Sequence, residues 1–390
     1  MKALGGTSGG IIACASSSAN YSNNINIDNC YVKNIESENS DRFGGIIGVT
    51  GACNGDRTIT ITSCNVENAI NKDASAGGIC GCITDTNSLT VKNCNVENIN
   101  GFDSGIISNF LGKTAIVKDC SARNVTLDSS TTSNLGGIVG YGTNMDLENC
   151  FAENIQILRS DVYLFENVGG VIGFLRKGSI KSSKVQKFSL NENVAECTVM
   201  KIGGIVGFSD DVSVSNCQVS DATINVPQEA YYIGGICGFG TNIKDSNVTN
   251  LKINAPNVRG VGGIIGHGFN NVSTSLIQNC EVKNSSITGK EYVGGIAGAA
   301  FINIADCKVE DSEISGQDSI GGIQGFGGEF ENSSKYVPVK IDNAEVKNTT
   351  VNGKTNSNKI LGRTTYIKDS STPTQDKITN CKYNDAAVSQ

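Results

Sequence analysis

The side chains able to do chemistry in this chain of 390 residues are 15 cysteines, one histidine and scattered carboxylates. Thiolates bind zinc from Cys-x-x-Cys pairs completed by a second pair or by histidines. No such pair occurs; the nearest thiols are Cys80 and Cys82. No metal or other cofactor is therefore read from these residues. Most thiols instead keep step with an asparagine or aspartate four residues on, as in Cys64-Asn-Val-Glu-Asn68 and Cys94-Asn-Val-Glu-Asn98. A catalytic site has no need to recur in this way, whereas a structural column does.

The sole histidine lies in Gly266-His267-Gly268, and Ser209-Asp210-Asp211 lies nearly two repeats upstream. Both tripeptides look like pieces of the signature of pectin-hydrolysing β-helices. A glycosidase holds two carboxylates ~5–9 Å apart across the scissile bond. Groups two coils apart on one face of a solenoid stand ~10 Å apart. His267 also falls in the slot that Phe239 and Phe326 fill in other repeats. A dinucleotide or phosphate loop needs a helix after its glycines, and no helical periodicity follows any of them. The expectation is a chain without enzymatic activity.

What must position these residues is a repeat. Gly-Gly-Ile recurs from Gly9-Gly10-Ile11 through Gly44-Gly45-Ile46 and Gly77-Gly78-Ile79 to Gly321-Gly322-Ile323, at intervals of about 27–35 residues. A second phrase, Ile-x-[Asn/Asp/Ser]-Cys-x-Val-x-Asn, follows each copy. Its cysteine position holds Cys30, Cys64, Cys94, Cys120, Cys150, Ser183, Cys217, Ser246, Cys280, Cys307, Ala344 and Cys381. Such a period is the mark of a solenoid. Local alternation, as in Ile59-Thr-Ile61, reads as half-buried strands. Three short strands per repeat, one of them Gly-Gly-Ile, are expected. The predicted fold is all-β: one domain, 1–390, forming a parallel β-solenoid of about twelve coils, right-handed by the rule for parallel crossovers.

Stacking turns each repeat position into a column. Asn and Asp four residues after the cysteine tolerate left-handed backbone and mark a corner; Lys187 departs from this. Asn, Asp or Ser before the cysteine marks a second corner. The cysteine column admits only Cys, Ser and Ala, so its thiols read as small buried plugs. Equivalent Cβ atoms of parallel coils lie ~4.8 Å apart, too far for the ~3.8 Å of a disulfide, so free thiols are expected. Tyr141, Phe174, Phe208, Phe239, His267 and Phe326 form an aromatic column. The double glycine marks a bend or a close backbone approach.

Function is then sought in what does not repeat. The long loops are 129–135, 158–168, 191–202 and 227–233. Two carry apolar residues: Leu158, Tyr163 and Phe165 in one, Tyr231 and Tyr232 in the other. These are the candidate interaction residues, either a contact patch or a flap over the coil. The net charge of −7 gives no basic field for nucleic acid. No apolar run approaches the ~18 residues of a membrane helix, so no membrane insertion is expected. The N-terminus has no long apolar core and opens inside a repeat, which reads as a fragment or mature region without a signal peptide.

The phrases Tyr292-Val-Gly-Gly-Ile-Ala-Gly298 and Asn29-Cys-Tyr-Val-Lys-Asn34 resemble the glycine-rich GLUG-type repeats of bacterial surface and secreted proteins. The resemblance covers nearly the whole chain through short motifs. It implies an extracellular or cell-surface location and a structural or adhesive module, such as a fibre component. Implied partners are a host or cell-surface glycan or protein, or a second copy stacked end to end. A carbohydrate-binding or polysaccharide-cleaving β-helix and a self-assembling filament subunit are the alternatives.

Overall fold

The computed structural model describes residues 2–16, 24–51, 57–72, 75–128, 133–158, 167–191, 201–240, 242–269, 275–327, 339–364 and 377–388. Every regular element among them is a strand. Strands of successive repeats pair in parallel and in register, so the chain is an all-β parallel β-solenoid. It divides into two compact units, Met1–Leu190 with Ile205–Val212, and Asn191–Gly204 with Ser213–Gln390.

In the first unit, Ile27, Ile61, Val91, Val117, Leu147 and Ile180 stand in one column before the cysteine. Val32, Val66, Val96, Ala122, Ala152 and Val185 form the column after it. All are buried. The second unit repeats the plan with Val214, Ile243, Ile277, Ile304, Ile341 and Ile378, and with Val219, Val248, Val282, Val309 and Val346. A single coil cannot bury these side chains; its neighbours above and below do. Each fully buried Val or Ile is worth roughly 1.5–3 kcal/mol.

The coil differs from expectation at its glycines. Gly-Gly-Ile is not a strand but a corner between two. The strand Ser75–Gly77 ends at the first glycine, and the strand Cys80–Thr84 begins after Ile79. The strand leaving the corner folds back on the strand entering it. A Cβ on Gly298 would lie 2.4 Å from Val261 N, and one on Gly295 would lie 2.2 Å from Gly322 O. Both distances are impossible for a side chain. The glycines thus allow two backbones to touch along one edge of the coil, and each coil contributes to two sheets rather than three faces.

A second difference lies at the C-terminal coil of the second unit. All other described pairings of the coils are parallel, yet here the strand Cys381–Tyr383 pairs antiparallel with Ala386–Val388. Asn384 and Asp385 make the turn at φ 48° and 66°. Two consecutive positive φ values are what a two-residue type I′ hairpin requires. The asparagine corner of this repeat accordingly passes from Asp385 to Asn384, whose Oδ1 accepts from Asn348 N at 2.8 Å.

Candidate functional site

The recurring residues fall into place as columns. The corner before the cysteine is left-handed at every repeat, from Asn29 (φ 55°) and Ser63 (φ 54°) to Asn380 (φ 53°). The corner four residues after it is left-handed as well, including Lys187 at φ 56°. Amide side chains bond along the stack in the first unit. Asn68 Nδ2 donates to Asn34 Oδ1 at 3.1 Å, Asn98 to Asn68 at 3.1 Å, Asn124 to Asn98 at 3.0 Å and Asn154 to Asn124 at 2.9 Å.

The thiols are plugs. Every described cysteine is free, and all but Cys14 and Cys30 are buried. Each ladder thiol donates to the carbonyl two residues back, as from Cys64 to Thr62 O at 3.2 Å and from Cys94 to Lys92 O at 3.3 Å. Burial pushes the Cys64 thiol up to about 11. Cys94 is raised too, first by its hydrogen bond with Cys120 and then by burial. These thiols stay protonated at neutral pH and are poor nucleophiles. Among the described residues no group of three or more His, Cys, Asp and Glu converges to hold a metal ion.

The outer face of the second unit carries a pattern the sequence reading missed. Glu281, Lys308, Glu345 and Lys382 stand in one column, and Lys283, Glu310 and Lys347 in the next. Charge alternates both along and across the columns. Lys283 Nζ meets Glu310 Oε2 at 3.0 Å, and Lys308 Nζ meets the same oxygen at 3.3 Å. A coil slipped by one repeat would set like charges side by side, so the pattern favours one register. Beside it a polar groove of about 490 Å³ runs over the corner residues Asp245, Asn279, Asp306, Asn343 and Asn380. These corners are bonded to one another: Asn279 Nδ2 donates to Asp245 Oδ1 at 2.6 Å and Asn343 Nδ2 to Asp306 Oδ1 at 2.8 Å. The amides of Asn343 and Gln278 hold the Asp306 carboxyl below its usual range.

A buried polar knot replaces the aromatic edge in part of the first unit. Asp103 Oδ2 accepts from Ser75 Oγ at 2.7 Å, from Ser108 Oγ at 3.0 Å and from Ala76 N at 3.1 Å. Asn109 Nδ2 donates to both serines. The arrangement closes a corner with hydroxyls and one carboxylate.

The aromatic column is present in both units. In the first, Tyr141 stacks on Phe174 at 4.8 Å and Phe174 on Phe208 at 4.9 Å. In the second, Phe239 stacks on His267 at 4.8 Å. His267 is buried, and burial pushes its pKa down to about 3. It is a neutral ring in an aromatic stack at neutral pH, which is what its register implies. Tyr232 packs on His267 at 4.5 Å and on Phe239 at 5.5 Å.

Of the candidate interaction residues, Leu158 and Tyr231 are exposed at 49% and 42%. Tyr232 is half-buried. Tyr163 and Phe165 lie outside the described residues. Tyr231 and Tyr232 come together, with ring centroids 6.0 Å apart. Structure adds Tyr292, Phe269 and Phe301 to the same unit's edge; Tyr292 packs on Phe326 at 4.7 Å. The sequence signal was available, because Tyr232 and Tyr292 both stand two residues before Gly-Gly-Ile.

Comparison with family models, with curated proteins and with solved structures finds no match for this chain.

Proposed function

We propose that this chain is a non-enzymatic structural and adhesive module of a bacterial cell-surface or secreted protein. The GLUG-type resemblance of the Tyr292–Gly298 and Asn29–Asn34 phrases supports the location and the class. One observation carries the reading: the residues that recur are engaged with their equivalents on neighbouring coils. The Asn34–Asn68–Asn98–Asn124–Asn154 amide chain is the plainest case. Recurrence thus serves the stack, and contact with a partner falls to exposed residues that do not recur, such as Leu158 and Tyr231.

The test is display of the chain on a non-adherent bacterial cell, with retention measured on panels of immobilised glycans and matrix proteins. Cells are expected to be retained above a display control, with no reducing ends released from the polysaccharides. Release of reducing ends, or no retention on any surface, would overturn the proposal.

A further inference from the structure

In the second unit the residue two before each Gly-Gly-Ile corner drops out of the strand ladder. Tyr231 pairs with Arg259 and Ile233 with Val261, while Tyr232 and Gly260 are skipped. Arg259 pairs with Glu291 and Val261 with Val293, so Tyr292 is skipped as well. The next step skips Ser319. These are left-handed corners stacked on successive coils, with φ of 62° at Tyr232, 76° at Gly260, 58° at Tyr292, 60° at Ser319 and 48° at Asn356 in the coil that follows.

Glycine adopts this backbone freely. A bulky residue there is an outlier costing ~1–3 kcal/mol. A corner that served only the fold would be filled by Gly or Asn, as at Gly260 and Asn356, yet tyrosine fills two of these five positions. The corner turns Tyr232 across the neighbouring coil: a Cβ on Gly260 would lie 2.7 Å from Tyr232 Cδ1. The ring therefore lies where the next coil has no side chain, supported beneath by His267 and Phe239. Tyr292 repeats the move over Phe326. The exposed ring of Tyr231 adjoins the first of these.

Between the two tyrosines stands a polar rim. Arg259 Nε and Glu291 Oε2 lie 3.4 Å apart, half-exposed, in the column of Tyr231. A chain laid along the coils meets ring, ion pair and ring, with the two corner tyrosines ~10 Å apart. A sugar chain has the matching chemistry, with C–H faces for the rings and hydroxyls for a guanidinium donor and a carboxylate acceptor.

We infer that Tyr231, Tyr232 and Tyr292, with Arg259 and Glu291, form a binding platform for an extended, uncharged polysaccharide. The inference rests on the adhesive reading above and names its ligand class. Native gels cast with xylan, mixed-linkage β-glucan, galactomannan or no polysaccharide test it. Wild-type protein should be retarded in at least one polysaccharide gel. Tyr231→Ala should weaken that affinity by about 30-fold, the loss of one central aromatic anchor. Tyr231→Phe should retain most of it, and Arg259→Gln should weaken it while leaving circular dichroism unchanged. The chain has no Trp and 10 Tyr, so quenching of tyrosine fluorescence by the retarding polysaccharide gives a second readout. Wild-type mobility unaffected in every gel, or Tyr231→Ala retarded like wild type, would overturn the inference. Wild-type cells retained on a matrix protein, with wild-type mobility unaffected in every polysaccharide gel, would remove this site yet leave the adhesive reading standing.

Discussion

Asn98 donates its Nδ2 to Oδ1 of Asn68, the equivalent residue one coil earlier, at 3.1 Å. Its own Oδ1 accepts from Asn124 at 3.0 Å, so one side chain joins three coils. It also holds a left-handed corner at φ 56°. Asn98→Ala should lose two amide hydrogen bonds at ~1 kcal/mol each and add ~1–2 kcal/mol of backbone strain. Chemical denaturation should show a loss of about 3 kcal/mol. Lys187 occupies the same corner at φ 56° without an amide. Lys187→Asn should stabilise the first unit by about 1 kcal/mol, since asparagine suits the backbone and can bond along the stack. A destabilised Lys187→Asn would contradict the corner's role.

Buried, protonated thiols should resist alkylation. Native protein treated with iodoacetamide and digested for mass spectrometry should be modified at exposed Cys14 and only slowly at half-buried Cys30. Cys64, Cys94, Cys120 and Cys150 should react only after denaturation, because all four are buried and closed to the reagent. Any of these four recovered in a disulfide from non-reduced protein would count against the plug assignment. Cys94→Ser should cost little, since Ser183 and Ser246 fill the same column and bond the carbonyl two residues back.

Stability should fall with acid in a window set by one residue. His267 has a folded pKa pushed down to about 3, against ~6.5 when unfolded. Between these values the unfolded chain binds a proton that the folded chain does not, so stability rises with pH. The contribution is complete above pH ~6.5 and is lost as pH falls toward 3. His267 is the only histidine, and carboxylates titrate mainly below pH ~5. Between pH 6.5 and 5 the unfolding free energy of the second unit should fall by about 1.4 kcal/mol per pH unit at most. His267→Phe, matching Phe239 and Phe326 in the column, should flatten that slope. An unchanged slope in the variant would contradict the buried neutral ring.

The corner asparagines, the small thiol column and the aromatic column were legible in the sequence because each recurs at a fixed place in the repeat. Positions that recur need only be aligned to be read. Other features were not legible, because they depend on contacts between coils. Gly298 is small because Val261 of a neighbouring coil approaches it, and no local pattern states that. The alternation of Glu281, Lys308, Glu345 and Lys382 is visible only once register is known. Tyr232 reads as an ordinary strand aromatic until its left-handed backbone and its place over Gly260 are seen. The Asn384-Asp385 hairpin was readable by turn chemistry but was masked by its match to the corner column.

The division of labour between recurring and unique residues is tested most directly by a substitution scan of the displayed chain. One library is sorted for display level and for retention on the polysaccharide that retards the wild type. Substitutions at Gly78 and Asn98, and residues larger than Cys at Cys94, are expected to lower display, since each disturbs the stacking of coils. Substitutions at Tyr231 are expected to leave display intact and to remove retention. Retention abolished at Asn98 with full display, or insensitive to every change at Tyr231, would contradict the account.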